Sequence, residues 1–272
     1  MDRAIEEGTA RDDRRDPVLV DRGAGVLTLT LNRPEQFNAL SDEVLAALQA
    51  AFDECAGDED LRAVVIAARG RAFCAGHDLK QMRGHAGDRD YYLSLFMRCG
   101  GLMQSIVRCP VPVIARVHGT ATAAGCQLVA SCDLAVASAG ARFAVSGINV
   151  GLFCSTPAVA LTRNVPLKNA FEMLVTGRFV SAEQALAYGL VNHVVPDAEL
   201  DAAVGGLVDA IKSKSPLAVR IGKSMVQRQL GMDLAQAYDY AAGIMAGNMM
   251  AEDVGEGIDA FIEKRPPQWR GR

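Results

Sequence analysis

The chain has 272 residues, half of them hydrophobic, which is enough for one large α/β domain with a sizeable core. Its formal net charge of −4 gives no electrostatic reason to expect nucleic acid or an anionic membrane as a partner, so an anionic ligand requires a local basic patch. No apolar run approaches the ~20 residues that a membrane-spanning helix needs.

The cysteines and the amino-terminal segment both bear on the compartment. Seven scattered cysteines form no C-x-x-C pair and no metal-spaced cluster with the four histidines, so they indicate reduced, buried thiols and no metal site. Residues 1–16 mix six acids with four arginines. Because a transit peptide is poor in acids, this segment is predicted to be a disordered tail and the protein to be cytoplasmic.

The first predicted elements are two strands, a helix and a buried strand. The strands are Val18–Asp21 and Val26–Leu31, joined by a short turn. Ser41 is the expected N-cap of a helix that ends near Gly57 and has apolar residues at helical spacing. Ala63–Ala67 is short, continuous and apolar, as is typical of a strand buried on both faces.

The alternation of strand and helix continues further along the chain. Strand Val111–Val117, the small-residue segment Thr120–Ser131 and strand Asp133–Ala137 follow one another. This order predicts an α/β core of stacked βαβ units over residues 17–210.

From about Thr156 onward, helices dominate the predicted structure. Ser181 opens a capping box, Ser215-Pro216 starts another helix, and only Leu190–Val195 has the character of a further strand. Residues 211–272 are predicted to form a helical carboxy-terminal region.

Three motifs resemble the crotonase (enoyl-CoA hydratase/isomerase) superfamily. They are Asn32-Arg33-Pro34 with Asn38-Ala39-Leu40, the loop from Arg69 to Leu79, and the segment from Val117 to Leu128 that leads into Cys132-Asp133. Residues 118–127 and 151–157 look most similar to the branch named enoyl-CoA hydratase domain-containing proteins. The resemblance implies a crotonase-like ββα-superhelix core and an oligomerisation role for the carboxy-terminal region.

The resemblance also implies an oxyanion hole made of the backbone N–H groups of His77 and Ala124. A thioester enolate requires fixed donors at its oxygen, and a helix N-terminus lined by small residues supplies them. Ala123-Ala124-Gly125 stands where relatives usually have three glycines. Alanine still provides the N–H donor when its φ is negative.

A CoA thioester is the ligand that the resemblance implies, with no other cofactor. The CoA moiety is expected to lie against Arg33, Phe37, Ala39, Ala75, Asp78 and Leu79. Phe261 and Lys264 of a neighbouring subunit would close over the nucleotide, and the expected assembly is a trimer or a dimer of trimers.

The carboxylates of hydratase chemistry are missing. By motif, the two glutamates of relatives fall at Gln127 and Gly147, and the third carboxylate of dienoyl-CoA relatives falls at Ser155. Loss of an essential acid or base costs ~10²–10⁴-fold per group, so classical hydratase activity is predicted to be weak or absent.

Several residues keep two interpretations at this stage. The His77 imidazole is either a proton carrier or a surface-loop histidine beside the CoA sulfur, and Asp78 is either catalytic or a cap. Cys154 is a nucleophile or a small core residue, and His118 is most simply a satisfied structural histidine. The remaining alternatives concern caps, turns and packing. Ser155 and Thr156 either orient a water or the acyl group or cap the helix that begins near Pro157. Asn149 either binds substrate or is a turn amide, and Met245–Met250 is expected to pack a helix.

Three functions follow from these residues. The first is an acyl-CoA enzyme that uses His77 or water as proton carrier, with thioesterase, decarboxylase or isomerase-like chemistry. The second is a catalytically silent acyl-CoA-binding or scaffolding protein. The third is use of the fold without CoA. A genuine hydratase would require an acid/base pair that the motifs do not contain.

Overall fold

The structure is a computed structural model and describes residues 16–272; the tail predicted at 1–16 lies outside the described residues except for Asp16. The strands of the described chain are β1 (Val18–Gly23), β2 (Val26–Leu31), β3 (Ala63–Ala68), β4 (Ala72–Cys74), β5 (Val113–Val117), β6 (Thr120–Thr122), β7 (Leu134–Ser138), β8 (Arg142–Ala144), β9 (Val180–Ser181) and β10 (His193–Val195). The α-helices are α1 (Asp42–Cys55), α2 (Leu79–Gly84), α3 (Arg89–Arg108), α4 (Ala124–Ser131), α5 (Ser155–Asn164), α6 (Leu167–Thr176), α7 (Ala182–Ala187), α8 (Leu200–Lys212), α9 (Pro216–Gln229), α10 (Leu234–Asn248) and α11 (Glu252–Glu263).

Two sheets organise the core. The larger sheet has the order β1-β2-β3-β5-β7-β10, with β1 antiparallel to β2 and every other pair parallel. The smaller sheet has the order β4-β6-β8-β9, with β9 antiparallel to β8. A long strand, a short strand and a helix follow one another three times, at β3-β4-α2, β5-β6-α4 and β7-β8-α5. This repeat confirms the predicted stacked α/β units.

The first helix shows why the sequence folds locally as predicted. The Ser41 hydroxyl accepts a hydrogen bond from the N–H of Val44, which satisfies a donor that the helix itself cannot satisfy. The buried face of α1 carries Val44, Leu45, Leu48, Ala51, Phe52 and Cys55. In β3 all six residues are buried, as its continuous apolar run predicts.

Strand ends differ from the prediction by a few residues. The strand expected from Val111 begins at Val113, because Pro112 has no N–H to donate to a neighbouring strand. The strand expected over Leu190–Val195 is restricted to β10, and the one expected to end at Asp21 continues to Gly23. The prediction missed the short β9 strand, whose two residues are too few to show a periodic pattern.

A buried lysine is one of the contacts that tie the carboxy-terminal helices to the core. Lys223 of α9 donates to the Asp133 carboxylate at 2.6 Å and to the carbonyl oxygens of Ile106 and Val111 at 3.2 and 2.9 Å. The same carboxylate accepts the N–H of Val113 at 2.7 Å. The Cys-Asp motif therefore serves as an anchor between the large sheet and α9.

The cysteines are free and mostly buried thiols, as the sequence predicts. All seven are free thiols, and six of them are buried. Between residues 16 and 272, no helix is both long enough and apolar enough to span a bilayer.

Candidate active site

An apolar cavity of about 250 Å³ lies beside the amino-terminal end of α4. Its wall also includes the turn before α2, the middle of α3 and the segment 146–157. The lining residues are Ala75, His77, Leu79, Met82, Phe96, Ala123, Ala124, Ser146, Gly147, Val150, Leu152, Phe153, Cys154, Ser155, Thr156 and Pro157. None of them is an aspartate or a glutamate, and the titratable side chains among them are His77 and Cys154.

Asn38 holds the loop that forms one wall of the site. Its amide nitrogen donates to the carbonyl oxygens of Arg69 and Ala72 at 2.7 and 2.8 Å, and its amide oxygen accepts the N–H of Arg33 at 2.9 Å. The side chain is buried, and its backbone is left-handed, with a φ of 55°. Asn38 thus joins the first and second family motifs through backbone groups.

The second and third motifs meet at Gly76. Its φ is +93°, and an added Cβ would lie 2.8 Å from the Cβ of Ala123 and 3.2 Å from the backbone nitrogen of Ala124. On the other side of this contact, a Cβ on Gly125 would collide with the carbonyl oxygen of Cys74. The absence of side chains at these glycines lets the loop and the start of α4 approach closely.

The close approach leaves two donors beside the cavity. Ala124 is the first residue of α4, so its N–H has no partner within the helix. Neither this group nor the N–H of His77 donates a hydrogen bond to another residue that the structure describes. The helix N-terminus adds a favourable field for a negative charge at this position.

Ala123 adopts a strained backbone conformation. Its φ is +51° and its ψ is −120°, a combination that glycine adopts readily and that residues with a Cβ rarely adopt. The N–H donor requires a negative φ at Ala124, and this requirement is met because Ala124 is helical. The replacement of glycine by alanine therefore strains the residue before the donor and leaves the donor in place.

The His77 ring occupies the cavity wall. Both ring nitrogens are buried and have no hydrogen-bond partner among the described residues, and the edge of the ring meets Phe96 at a centroid distance of 5.6 Å. Burial lowers the pKa of His77, while the backbone carbonyl of Leu40 and the negative charge of Asp42 oppose the shift without reversing it. His77 lies in a loop and is half-buried, with its ring nitrogens inside, and the imidazole is neutral near pH 7.

The positions of the missing carboxylates differ from one another. Gln127 lies on α4 with 4% of its surface exposed, is not part of the lining, and leaves its Oε1 without a partner among described groups. Gly147 lines the cavity, but an added Cβ would lie 2.7 Å from the Sγ of Cys154 and 2.7 Å from the carbonyl oxygen of Leu152. Ser155 is exposed and its hydroxyl donates weakly to the carbonyl oxygen of Phe153 at 3.5 Å.

Two predictions about caps have opposite outcomes. Asp78 is the N-cap of α2, accepting the N–H groups of Lys80 and Gln81, which confirms the structural interpretation. Ser155 and Thr156 are not caps, because α5 already begins at Ser155 and its N-cap is Cys154. The prediction placed the helix start at Pro157, although proline is tolerated anywhere in the first turn.

Two further residues occupy structural positions. His118 is only half-satisfied: its Nε2 lies 2.8 Å from the carbonyl oxygen of Gly70, while its Nδ1 has no partner among the described residues. Asn149 is exposed and does not line the cavity; its side-chain amide packs against Gly177.

Near the mouth of the cavity, the residues expected to contact CoA lie among basic side chains. Phe37 and Leu79 are exposed, Ala75 lines the cavity and Ala39 is buried. Arg33 pairs with Asp78 at 3.5 Å. The guanidinium of Arg71 lies 4.4 Å from the centre of the Phe37 ring. Arg71 was not predicted, although its place in the loop from Arg69 to Leu79 was a usable signal. The basic patch, defined here as Arg33 and Arg71, lies on the residues expected to contact CoA, since Arg33 pairs with Asp78 and Arg71 covers Phe37. An anionic ligand on a chain with net negative charge requires local cations of this kind.

Phe261 and Lys264 are remote from this cavity in the single chain. Phe261 lines a different, open cavity of about 440 Å³ with Trp269, and Lys264 ends α11 in a left-handed conformation. Within residues 16–272, no group of three or more His, Cys, Asp or Glu side chains could hold a metal ion.

The sequence comparison decides the family. A family model described as enoyl-CoA hydratase/isomerase matches residues 21–272. The chain belongs to this family. Human enoyl-CoA hydratase domain-containing protein 3, mitochondrial, is 47% identical over 245 residues, which cover 90% of this chain and 80% of that protein. The rat protein of the same name is also 47% identical, over 90% of this chain and 81% of its own length. These relatives confirm the branch that the motifs indicated.

Solved structures confirm the crotonase fold. The crystal structure of enoyl-CoA hydratase from Mycobacterium smegmatis has a TM-score of 0.91 and is 59% identical, covering 93% of this chain and 98% of the other. The crystal structure of human enoyl-CoA hydratase domain-containing protein 3 has a TM-score of 0.90 at 46% identity, covering 93% and 100%.

The expected cytoplasmic setting is contradicted by the curated relatives. The proteins from rat, mouse, Xenopus laevis and human are named mitochondrial. Free, buried thiols fit any reducing compartment, so the cysteine pattern did not discriminate between the cytoplasm and the mitochondrial matrix.

Proposed function

We propose that the protein binds an acyl-CoA thioester with the carbonyl oxygen between the backbone N–H groups of His77 and Ala124, and that it is not a classical enoyl-CoA hydratase. One observation carries this proposal: two unpaired backbone donors border an apolar cavity whose lining has no carboxylate. Donors of this kind stabilise a thioester oxyanion or enolate, since they are fixed before the charge develops.

Hydration is disfavoured because it requires two separate groups. One group has to take a proton from water while another delivers a proton to carbon. Gln127 cannot accept a proton at neutral pH, and Gly147 has no side chain. Ser155, at the third position, offers only a hydroxyl. The family name therefore does not by itself assign the reaction to this chain.

The basic patch supports binding of the CoA moiety outside the cavity. In this proposal Arg33 and Arg71 bind phosphate oxygens of CoA, which is supported by their contacts with Asp78 and Phe37, and the Phe37 ring offers a flat apolar surface beside Arg71. In this arrangement Leu79 lies at the mouth, between the acyl cavity and the nucleotide.

A homo-oligomer, as a trimer or a dimer of trimers, completes the proposal. Large apolar side chains of α10, α11 and the turn between them are exposed in the single chain, among them Phe261 at 84% and Met250 at 86%. Exposed apolar surface of this kind marks an interaction site. Phe261 and Lys264 of a neighbouring subunit would then close over the nucleotide, since both are remote from the cavity of their own chain.

A catalytically silent acyl-CoA-binding protein is the second candidate. The lining without carboxylates favours it, because binding needs only the donors, the cavity and the basic patch. The buried imidazole of His77 favours an enzyme, because a neutral base held without a hydrogen-bond partner is costly for a protein that only binds.

The test combines turnover with binding. Purified protein is incubated with crotonyl-CoA, and loss of the conjugated enoyl-thioester absorbance is compared with a glutamate-containing family member. Thermal unfolding is followed in parallel with CoA and with crotonyl-CoA. We expect a higher melting temperature with the ligand and a hydration rate at least ~10²-fold below that of the control enzyme.

Two charge variants make the binding measurement specific. Leu79→Glu places a carboxylate at the mouth of the cavity on an exposed side chain, whereas Val20→Glu places one on an exposed position of β1. Only the first should lose the thermal shift, because like charge repels the CoA phosphates. Hydration within about tenfold of the control enzyme would refute the catalytic part, and no thermal shift with either ligand would refute CoA binding.

A further inference from the structure

Two thiols meet in the core where α1 and α3 end. Cys55 is the last residue of α1, and Cys109 is the C-cap of α3. Their side chains share a hydrogen bond, so the two sulfur atoms are neighbours. Both cysteines are free, and neither lines the acyl cavity. The function proposed above therefore leaves this pair without a role.

A cation is held beside the turn that carries Cys109. The Nζ of Lys223 donates to the carbonyl oxygens of Ile106 and Val111, at 3.2 and 2.9 Å, and these two residues lie on either side of Cys109 in the chain. The N–H of Val111 also donates to the Cys109 sulfur. A nearby cation and a backbone donor both favour the thiolate, which is the nucleophilic form of a cysteine.

The two thiols of the pair have different surroundings. The hydrogen bond from Cys55 lowers the pKa of Cys109, and the Val111 N–H and the Lys223 charge add to this effect, while burial and Asp133 oppose it. The same hydrogen bond, followed by burial, raises the pKa of Cys55. The S–H of Cys55 is therefore kept. Cys109 also retains 5% of its surface exposed and Cys55 retains none, so a small oxidant meets Cys109 first.

The neighbouring Cys132 is a comparison within the same region. It is more exposed than Cys109, so exposure alone would make it the more reactive thiol. Burial of its sulfur and the charge of Asp133 raise its pKa, however, and its S–H donates to the carbonyl oxygen of Leu128 at 3.3 Å. Cys132 is thus expected to stay protonated and to react slowly.

We propose that Cys55 and Cys109 form a redox site that a peroxide closes to a reversible disulfide. The Cys109 thiolate attacks one oxygen of hydrogen peroxide, the O–O bond breaks, and Cys109 becomes a sulfenic acid. The departing hydroxide takes up the proton that Cys109 had released and leaves as water. The Cys55 sulfur then attacks the sulfenic sulfur, the S–S bond forms, and the S–O bond breaks. The second hydroxide leaves as water with the Cys55 proton.

The balance of this sequence is a two-electron oxidation. The two thiols lose two electrons and two protons, and one peroxide is reduced to two waters. A dithiol reductant reverses the bond through a mixed disulfide. Disulfides in reducing compartments are mostly transient and serve catalysis or redox sensing, and a contact already made between two thiols suits that use.

The experiment counts thiols in the full chain before and after oxidation. The protein is reduced with dithiothreitol, freed of reductant, treated with a small excess of hydrogen peroxide, denatured and alkylated. We expect two of the seven cysteines to escape alkylation, with a mass lower by two hydrogen atoms. Peptide mapping should find one cross-linked pair that contains Cys55 and Cys109. Renewed treatment with dithiothreitol should make all seven cysteines available for alkylation.

Single variants assign the roles within the pair. Cys55→Ser and Cys109→Ser should each abolish the cross-link, whereas Cys132→Ser should form it at a rate within about threefold of the unchanged protein. In Cys55→Ser the sulfenic acid has no partner, so dimedone should label Cys109. In Cys109→Ser dimedone should leave Cys55 unlabelled, because its thiol stays protonated.

Three results would overturn the inference. They are seven alkylated cysteines after peroxide treatment, a cross-link that joins Cys109 to Cys132, and dimedone labelling of Cys55 in Cys109→Ser. Acyl-CoA plays no part in the measurement, so its outcome is independent of the proposed binding function.

Discussion

Gly147→Ala tests whether the hydratase position has been closed by packing. An added Cβ would lie 2.7 Å from the carbonyl oxygen of Leu152 and 2.7 Å from the Sγ of Cys154. Both distances are well inside van der Waals contact, and one of the two atoms belongs to the backbone. The turn cannot easily move away, because the N–H of Leu152 donates to the carbonyl oxygen of Gly147 at 3.0 Å. The backbone of Gly147 is not left-handed, so the substitution introduces crowding without φ strain.

Overpacking of this kind costs about 1–3 kcal/mol of the free energy of unfolding. For a chain of this length, each kcal/mol lowers the melting temperature by about 2–4 °C. Gly147→Ala should therefore unfold several degrees below the unchanged protein in a thermal scan. Gly101→Ala is the matched control, because nothing lies within 4 Å of its added Cβ and the residue is in α3, where alanine is the better helix former.

A double-mutant cycle isolates the sulfur contact. Cys154→Ala removes one of the two crowding atoms, so Gly147→Ala should cost less in that background, by about 0.5–1 kcal/mol. A melting temperature for Gly147→Ala equal to that of Gly101→Ala would refute the closed position. The same result would reopen Gly147→Glu, combined with Gln127→Glu, as a route back to hydratase activity.

Three further predictions concern strain, acid and ligand charge. Ala123→Gly should raise stability by about 1 kcal/mol, because glycine relieves the positive φ, and an unchanged melting temperature would contradict this. Burial alone would raise the pKa of Asp253, but hydrogen bonds from Ser215 and two backbone N–H groups prevail and lower it. The carboxylate therefore stabilises the fold above pH ~3.9, the unfolded pKa, and this stabilisation is lost as the pH falls through the lower pKa of the folded state. Fluorescence of Trp269, the only tryptophan, should report release of the carboxy-terminal segment as the pH falls through this range. In Asp253→Asn the release should begin at a higher pH. Arg71→Glu should weaken CoA binding by about tenfold in calorimetry, less so at high salt, and equal affinity would remove Arg71 from the patch.

Local signals in the sequence predicted the elements that carry strong patterns. Ser41 caps α1, Ser181 forms a capping box with Gln184, and the continuous apolar run at Ala63–Ala67 is a buried strand. Each of these depends on a few neighbouring residues, which is why a single sequence sufficed. The family resemblance placed the two donors, and the structure leaves both N–H groups unpaired beside one cavity.

The small sheet and the state of His77 depend on contacts between distant segments. Strands β4, β6 and β8 have three residues each, which is too short for alternation to show, and they form only because the longer strands before them place them side by side. The burial of the His77 ring depends on Phe96 and on the segment before α5. No local pattern around His77 carries that information, so the sequence leaves both interpretations of its imidazole open.

The two positions at which relatives have glutamates differ in their surroundings, and this difference limits which substitutions could restore a carboxylate. Gln127 keeps the shape of a glutamate but is buried, and its Oε1 has no hydrogen-bond partner among the described residues. A glutamate returned there would have a raised pKa, since burial disfavours the charged form. At Gly147 the carbonyl of Leu152 and the thiol of Cys154 already take the space, so a carboxylate there requires a different turn. Restoring both residue types is therefore not enough to restore the acid/base pair.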